Sequence, residues 1–174
     1  LPSNFPYIHK EITKKVMSSI VDELISTIGV DAVPPVLDKI KDFGFKYSTI
    51  SGSSFSFDNV KIPEGKKAII TASRKTEEVI IDQYNDGLLS KDEKYQKVIE
   101  IWEQAKKDVE KLIPETLNTA GSVYDMVISG ARGSVGQISQ MAGMKGLIIN
   151  TQGRTIDFPV IPSYKEGLSP IEYF

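Results

Sequence analysis

The segment Ser129-Gly-Ala-Arg-Gly-Ser-Val-Gly-Gln-Ile-Ser-Gln140 carries the residue types from which an anion site is built. Gly130, Gly133 and Gly136 let the backbone turn sharply and approach a partner closely. Ser134, with Gln137 three positions on, fits an S-x-x-Q capping box that opens a new helix. Unpaired N–H groups and the positive end of that helix would then lie beside the Arg132 guanidinium, a combination suited to phosphate. Gly-x-x-Gly-Ser turns before helices also serve capping and packing alone, so this stretch by itself leaves both uses open. It is not a Walker A loop, because no Gly-Lys-Ser/Thr follows at the required spacing. Nor is it a dinucleotide fingerprint, since the segment before it reads as helix rather than strand.

Other chemistries are poorly supplied. The 174 residues contain no cysteine and one histidine, His9, in a proline-bracketed leader. That excludes a disulfide framework, a thiolate metal site, a histidine-based metal site and a conventional catalytic triad. The formal charge is −2, from 21 basic and 23 acidic residues, without the basic excess of a domain built to grip nucleic acid. No apolar run approaches the ~18 residues of a membrane span. The start lacks the pattern of a secretory signal, and a cytoplasmic protein is expected.

The elements that must position the glycine-rich stretch fall into three sections, 1–63, 64–121 and 122–174. In the first, Ile12, Val16, Ile20, Leu24 and Ile28 recur every four residues and predict a helix that stops at Gly29. A second helix is expected from Pro34-Pro35, with Val36, Leu37, Ile40 and Phe43 inward and Gly44 as its end. Tyr47 to Ile62 reads as irregular chain with one or two short strands, because Phe55 and Phe57 alternate with serine.

The second section is a helical hairpin. Ile69, Ala72, Thr76, Val79 and Gln83 step by three and four, as do Tyr95, Val98, Trp102, Ala105, Val109 and Leu112. Asp86-Gly87 separates the two arms, and Ser90 with Glu93 has the form of a capping box. So short a link makes the arms antiparallel, and roughly 20 residues per arm project about 30 Å. At the tip, Leu88 and Leu89 either fold back onto the hairpin or offer a docking point for another protein. The third section is expected to contain a helix over Val123 to Ile128. A small β-hairpin follows, with arms Leu147 to Ile149 and Thr155 to Val160, and then the start of a helix within Tyr164 to Phe174. The fold class is therefore mainly α with minor β.

The longer stretch Ser129 to Leu147, with its Met141-Ala-Gly-Met144 pair, closely resembles a signature of the beta-prime subunit of multisubunit RNA polymerases. Companion segments resemble that family in the same order. They are Phe43 to Gly52 followed by Asp58 to Pro63, then Ser90 to Trp102, then Lys165-Glu-Gly-Leu168 with Glu172-Tyr-Phe174. Pro170 departs from the family's pattern at the last of these.

The resemblance implies a piece of the largest subunit, from pore and funnel to the start of the bridge helix, lining the secondary channel for nucleoside triphosphates. It implies that Arg132 lies near the triphosphate and Gln137 nearby in the channel wall, with Ser129, Gly130, Gly133 and Ser134 shaping the loop. It makes the hairpin a rim where transcript-cleavage and regulatory factors dock, through Asp86, Gly87, Leu88 and Leu89. It implies the beta, alpha, omega and sigma subunits as partners, with DNA and RNA met only in the assembled nucleotidyltransferase. The family's magnesium is held by an aspartate cluster that does not occur in this sequence, so no cofactor and no catalytic residue is expected within the chain. Two other readings remain: a free-standing helical-hairpin interaction module, and a small nucleotide-binding protein using the Arg132 loop.

Overall fold

The structure, a computed structural model, describes residues 1–3 and 5–174. It is mainly helical: α1 (Lys14–Ile28), α2 (Pro34–Ser51), α3 (Lys66–Asn85), α4 (Lys91–Thr116), α5 (Ser122–Ile128), α6 (Val135–Ile138) and α7 (Pro170–Tyr173). A π-helical turn, Ser139–Gly143, continues α6 directly. The chain divides into two compact units, one of Leu1–Phe55 with Thr119–Gly133, the other of Ser56–Asn118 with Ser134–Phe174.

In the first unit, Thr13 caps α1 by accepting from the Val16 N–H, and Gly29 at φ 78° ends it. Ile20 and Leu24 are buried with Phe5 and Val33, and Val36, Leu37 and Ile40 of α2 pack against that cluster. The expected inward position of Phe43 is corrected, since it is 63% exposed. Helix α2 also runs on through Gly44 to Ser51, where Gly52 at φ 62° stops it. A glycine inside a helix costs only about 1 kcal/mol, too little to break one favoured on both sides. Every residue from Lys41 to Ser51 is exposed, because the core ends at Ile40 while the helix does not. The short strands expected between Tyr47 and Ile62 are likewise replaced by the end of α2 and a 3-10 turn at Phe57–Asn59, where Asn59 and Ser56 cap each other.

The second unit is built on α3 and α4, the most extensive helix pair in the chain. They are antiparallel. Lys94 lies 5.1 Å from the Tyr84 ring near the tip. At the base, a Cβ on Gly65 would come 3.0 Å from Leu112. Val98, Trp102, Ala105 and Val109 of α4 are buried with Ile70 and Met144, as the heptad spacing predicts, and the seam's last member is Ile113. On α3 the inward stripe lies one residue beyond the expected one. Lys66, Ile70, Ser73, Glu77 and Ile80 are buried or half-buried, whereas Ala72, Thr76 and Val79 are exposed; of the expected stripe, Ile69 and Gln83 are half-buried and Ile69 packs against the core. Paired apolar residues at Ile69-Ile70 and Val79-Ile80 satisfy both registers, so spacing alone does not separate them.

The expected β-hairpin is reduced to isolated antiparallel bridges, Gly146 to Val160 and Ile149 to Thr155. Pro159 and Pro162 have no N–H to donate to a ladder. Helix α7 begins at Pro170, where a proline without an N–H is well placed, and Ser169 and Glu172 form its capping box. If the α3 register is as found, Ile80→Ala costs about 2 kcal/mol and Val79→Ala less than about 0.5 kcal/mol in urea denaturation. Equal losses would return the stripe to the expected register.

Candidate functional site

Helix α5 ends in a wound, hydrogen-bonded loop that presents Arg132. The Ser129 hydroxyl donates to the Met126 carbonyl at 3.2 Å and accepts from the Ala131 N–H at 3.3 Å. The Gly130 N–H donates to Val127 at 3.2 Å and the Arg132 N–H to Met126 at 3.4 Å. Gly130 has φ 70° and Gly133 φ 89°, conformations an L side chain resists. The loop is also fastened to α1, since the Lys14 N–H donates to the Ser129 carbonyl at 2.9 Å. A Cβ on Gly130 would meet the Lys14 Cβ at 3.3 Å. An open cleft of about 650 Å³ runs alongside, lined by Ile12, Met17, Val21 and Asp22 of the first unit together with Ser129 to Ala131.

Arg132 is exposed, and among the described residues its guanidinium has no ion-pair partner. Ser134 caps α6, accepting from the Gln137 N–H at 3.3 Å, so its half of the expected capping box is made. Gln137 itself is exposed. Arg132 belongs to the first compact unit, and Ser134 and Gln137 to the second.

Beyond Gln137 the same stretch becomes core. Ile138, Ser139, Ala142, Gly143 and Met144 are buried, and the π-helical turn lies against α4. A Cβ on Gly143 would stand 3.0 Å from Val109 and 3.2 Å from Ile113. One on Gly146 would stand 2.7 Å from Lys106, and Gly146 also has φ 87°, so Gly143 serves close packing and Gly146 serves both packing and a left-handed turn. The glycine-rich segment therefore has two jobs. Its first part offers a cation to solvent, and its second anchors to the hairpin.

The hairpin tip is held by a glycine turn. The Leu88 N–H donates to Gln83 at 2.9 Å and the Gly87 N–H to Tyr84 at 3.1 Å, with Gly87 at φ 77°. This pairing closes the end of α3. Asp86 is exposed, Leu88 is 73% exposed and Leu89 is half-buried, so Leu88 does not fold back. Ser90 and Glu93 then cap α4 reciprocally, at 2.8 and 3.3 Å.

A family model described as RNA polymerase Rpb1, domain 4 matches residues 89–171, from the tip through the Arg132 loop to α7. The beta' subunit of DNA-directed RNA polymerase from Desulforudis audaxviator is 41% identical over 174 residues, which is 100% of this chain and 15% of that subunit. The one from Pelotomaculum thermopropionicum is 40% identical over the same span and also covered to 15%. That of Finegoldia magna is 40% identical over 94% of this chain and 14% of its own length. The chain belongs to the bacterial RNA polymerase beta-prime family. It spans about 15% of the length of the relatives it matches.

Within this beta-prime segment no described helix is long and apolar enough to cross a membrane. The described residues also include no group of three or more His, Cys, Asp or Glu that could hold a metal ion. One charged cluster escapes motif reading. Lys66 at the start of α3 is 6% exposed and pairs with Glu166, whose carboxylate also accepts from the Ser163 N–H at 2.7 Å and hydroxyl at 2.8 Å. The signal for it was a lysine one turn before Ile70 on the inward stripe.

Burial pushes the Glu166 carboxyl upward, but the hydrogen bond from Lys66, with those from Ser163, outweighs it and holds the group below its ordinary value. A carboxyl depressed on folding stabilises the chain above its unfolded value, about pH 4.3 for glutamate. That stabilisation disappears as pH falls through the lower folded value. Urea denaturation across pH should therefore show the gap between the parent chain and Glu166→Gln narrowing below about pH 4.3. Parallel curves would remove Glu166 from the acid response.

Proposed function

We propose that this chain works as part of DNA-directed RNA polymerase, as a wall of the secondary channel through which nucleoside triphosphates reach the active centre. Arg132 is the residue that carries the reading. It is an exposed guanidinium without an ion-pair partner among the described residues, on a loop that Gly130, Gly133 and the Ser129 hydrogen bonds hold wound. Its role is electrostatic, drawing in and orienting a triphosphate, and Gln137 is a polar residue of the channel wall. The chemistry of nucleotidyl transfer, with its magnesium, belongs to residues outside this chain.

The hairpin tip, Asp86 to Leu89, is the docking rim for transcript-cleavage and regulatory factors. An apolar Leu88 held 73% exposed on a hydrogen-bonded turn supports this, since nothing in the hairpin covers it. Phe43, Phe45 and Ile50 on the outer half of α2, all more than 60% exposed, suit a segment enclosed by a larger assembly. In that assembly the partners are the beta, alpha, omega and sigma subunits, DNA and RNA are met only there, and the location is cytoplasmic. Helix α7 is the first turn of the bridge helix.

In the assembled enzyme Arg132→Ala should raise the apparent KM for nucleoside triphosphates about tenfold, equivalent to ~1.4 kcal/mol, while subunit assembly is intact. Unchanged nucleotide kinetics would remove Arg132 from the channel. Leu88→Asp should weaken binding of a cleavage factor about tenfold without changing simple elongation, read by titrating the factor against polymerase. Equal affinity for the factor would make the tip an ordinary exposed turn.

A further inference from the structure

The turn from Ser163 to Gly167, just before α7, is fixed to three separate parts of the second unit. Glu166 holds the buried Lys66 at the start of α3 and both donors of Ser163. Lys165 sends its Nζ to the carbonyls of Phe57 at 2.8 Å and Val60 at 2.6 Å. The N–H groups of Tyr164 and Lys165 donate to Gln140 at 3.1 Å and Met141 at 3.0 Å, within the π-helical turn. Gly167 at φ 85° then redirects the chain, and Ser169 caps α7, with Glu172 accepting from the Ser169 N–H at 2.9 Å.

Burying an ammonium group is costly even when it is paired, and a loop that only had to close would not need it. What a buried lysine supplies, when it shares one carboxylate oxygen with both donors of Ser163, is a single geometry. Here that geometry sets where α7 begins, relative to the π-helical turn and the base of the hairpin in the same unit.

We propose that Lys66 and Glu166 are positioning residues for nucleotide addition, fixing the direction in which the chain enters the helix that α7 begins. The inference rests on the polymerase reading above. It assigns the pair no contact with substrate. Their effect is on the placement of the helix, so it falls on the rate of addition, whereas Arg132 acts on nucleotide binding.

The test uses polymerase assembled with beta-prime carrying Lys66→Met, Glu166→Gln, or both. The double variant leaves no buried charge unpaired, which separates positioning from folding. Hydrogen exchange of the peptide covering residues 163–174 and the kinetics of single-nucleotide addition are both read. The expected result for the double variant is exchange faster by about tenfold and kcat lower by about tenfold, with KM unchanged. Exchange at the parent rate would show that the pair holds nothing. Faster exchange with the parent kcat, or failure of the double variant to assemble, would make the pair merely structural and overturn the proposal. Failure of the polymerase reading is seen elsewhere, as an unchanged nucleotide KM in Arg132→Ala, and leaves the exchange result standing.

Discussion

The second unit depends on the buried seam of α4, which is used twice. Val98, Trp102, Ala105 and Val109 pack with Ile70 of α3 and with Met144, which follows the π-helical turn. Farther along, Val109 and Ile113 meet the turn at Gly143 so closely that a Cβ there would come within 3.0 and 3.2 Å of them. One helix therefore holds both the projecting hairpin and the segment that leaves the Arg132 loop. A Trp of 1% exposure at the centre of such a seam stabilises it strongly, since removing a large buried ring costs about 3–5 kcal/mol.

This dual use explains the composition of the glycine-rich stretch. Glycines at Gly130 and Gly133 serve positive φ angles in an exposed loop, whereas Gly143 serves contact with α4 at a buried position. One residue type meets two demands, conformational freedom and the absence of a side chain. The chemistry offered to a ligand is left to Arg132, whose neighbours in the loop use their hydrogen bonds to hold the backbone wound. A loop organised this way delivers a charge at a defined place and does no covalent work. That suits the charge-presenting role proposed for Arg132.

Much of the fold was legible because spacing and caps agree. Helices α1 and α4, the Ser90 to Glu93 box and the glycine turn at the tip each have a local signal strong enough to stand alone. The α3 stripe did not, because adjacent isoleucine and valine residues fit two registers and only packing against Trp102 and its neighbours selects between them. Gly44 misled because its cost is small beside the propensity around it. The strands failed because Phe57 is taken into a 3-10 turn, and because Pro159 and Pro162 interrupt the ladder that Ile156 would have joined. The Arg132 loop was legible in residue type and in its resemblance to a family, but its attachment to Lys14 and the Lys66 to Glu166 pair join residues about 100 positions apart and leave no local pattern.

One continuous stretch is thus divided into a presented loop and an anchored turn. Native-state hydrogen exchange measures that division directly. The Met144 N–H, bonded to the Ser139 carbonyl at 2.8 Å, should exchange as slowly as the amides of α4 around Val109, while the Gly133 N–H exchanges near the unprotected rate. Rapid exchange at Met144, matching Gly133 and not α4, would contradict the account.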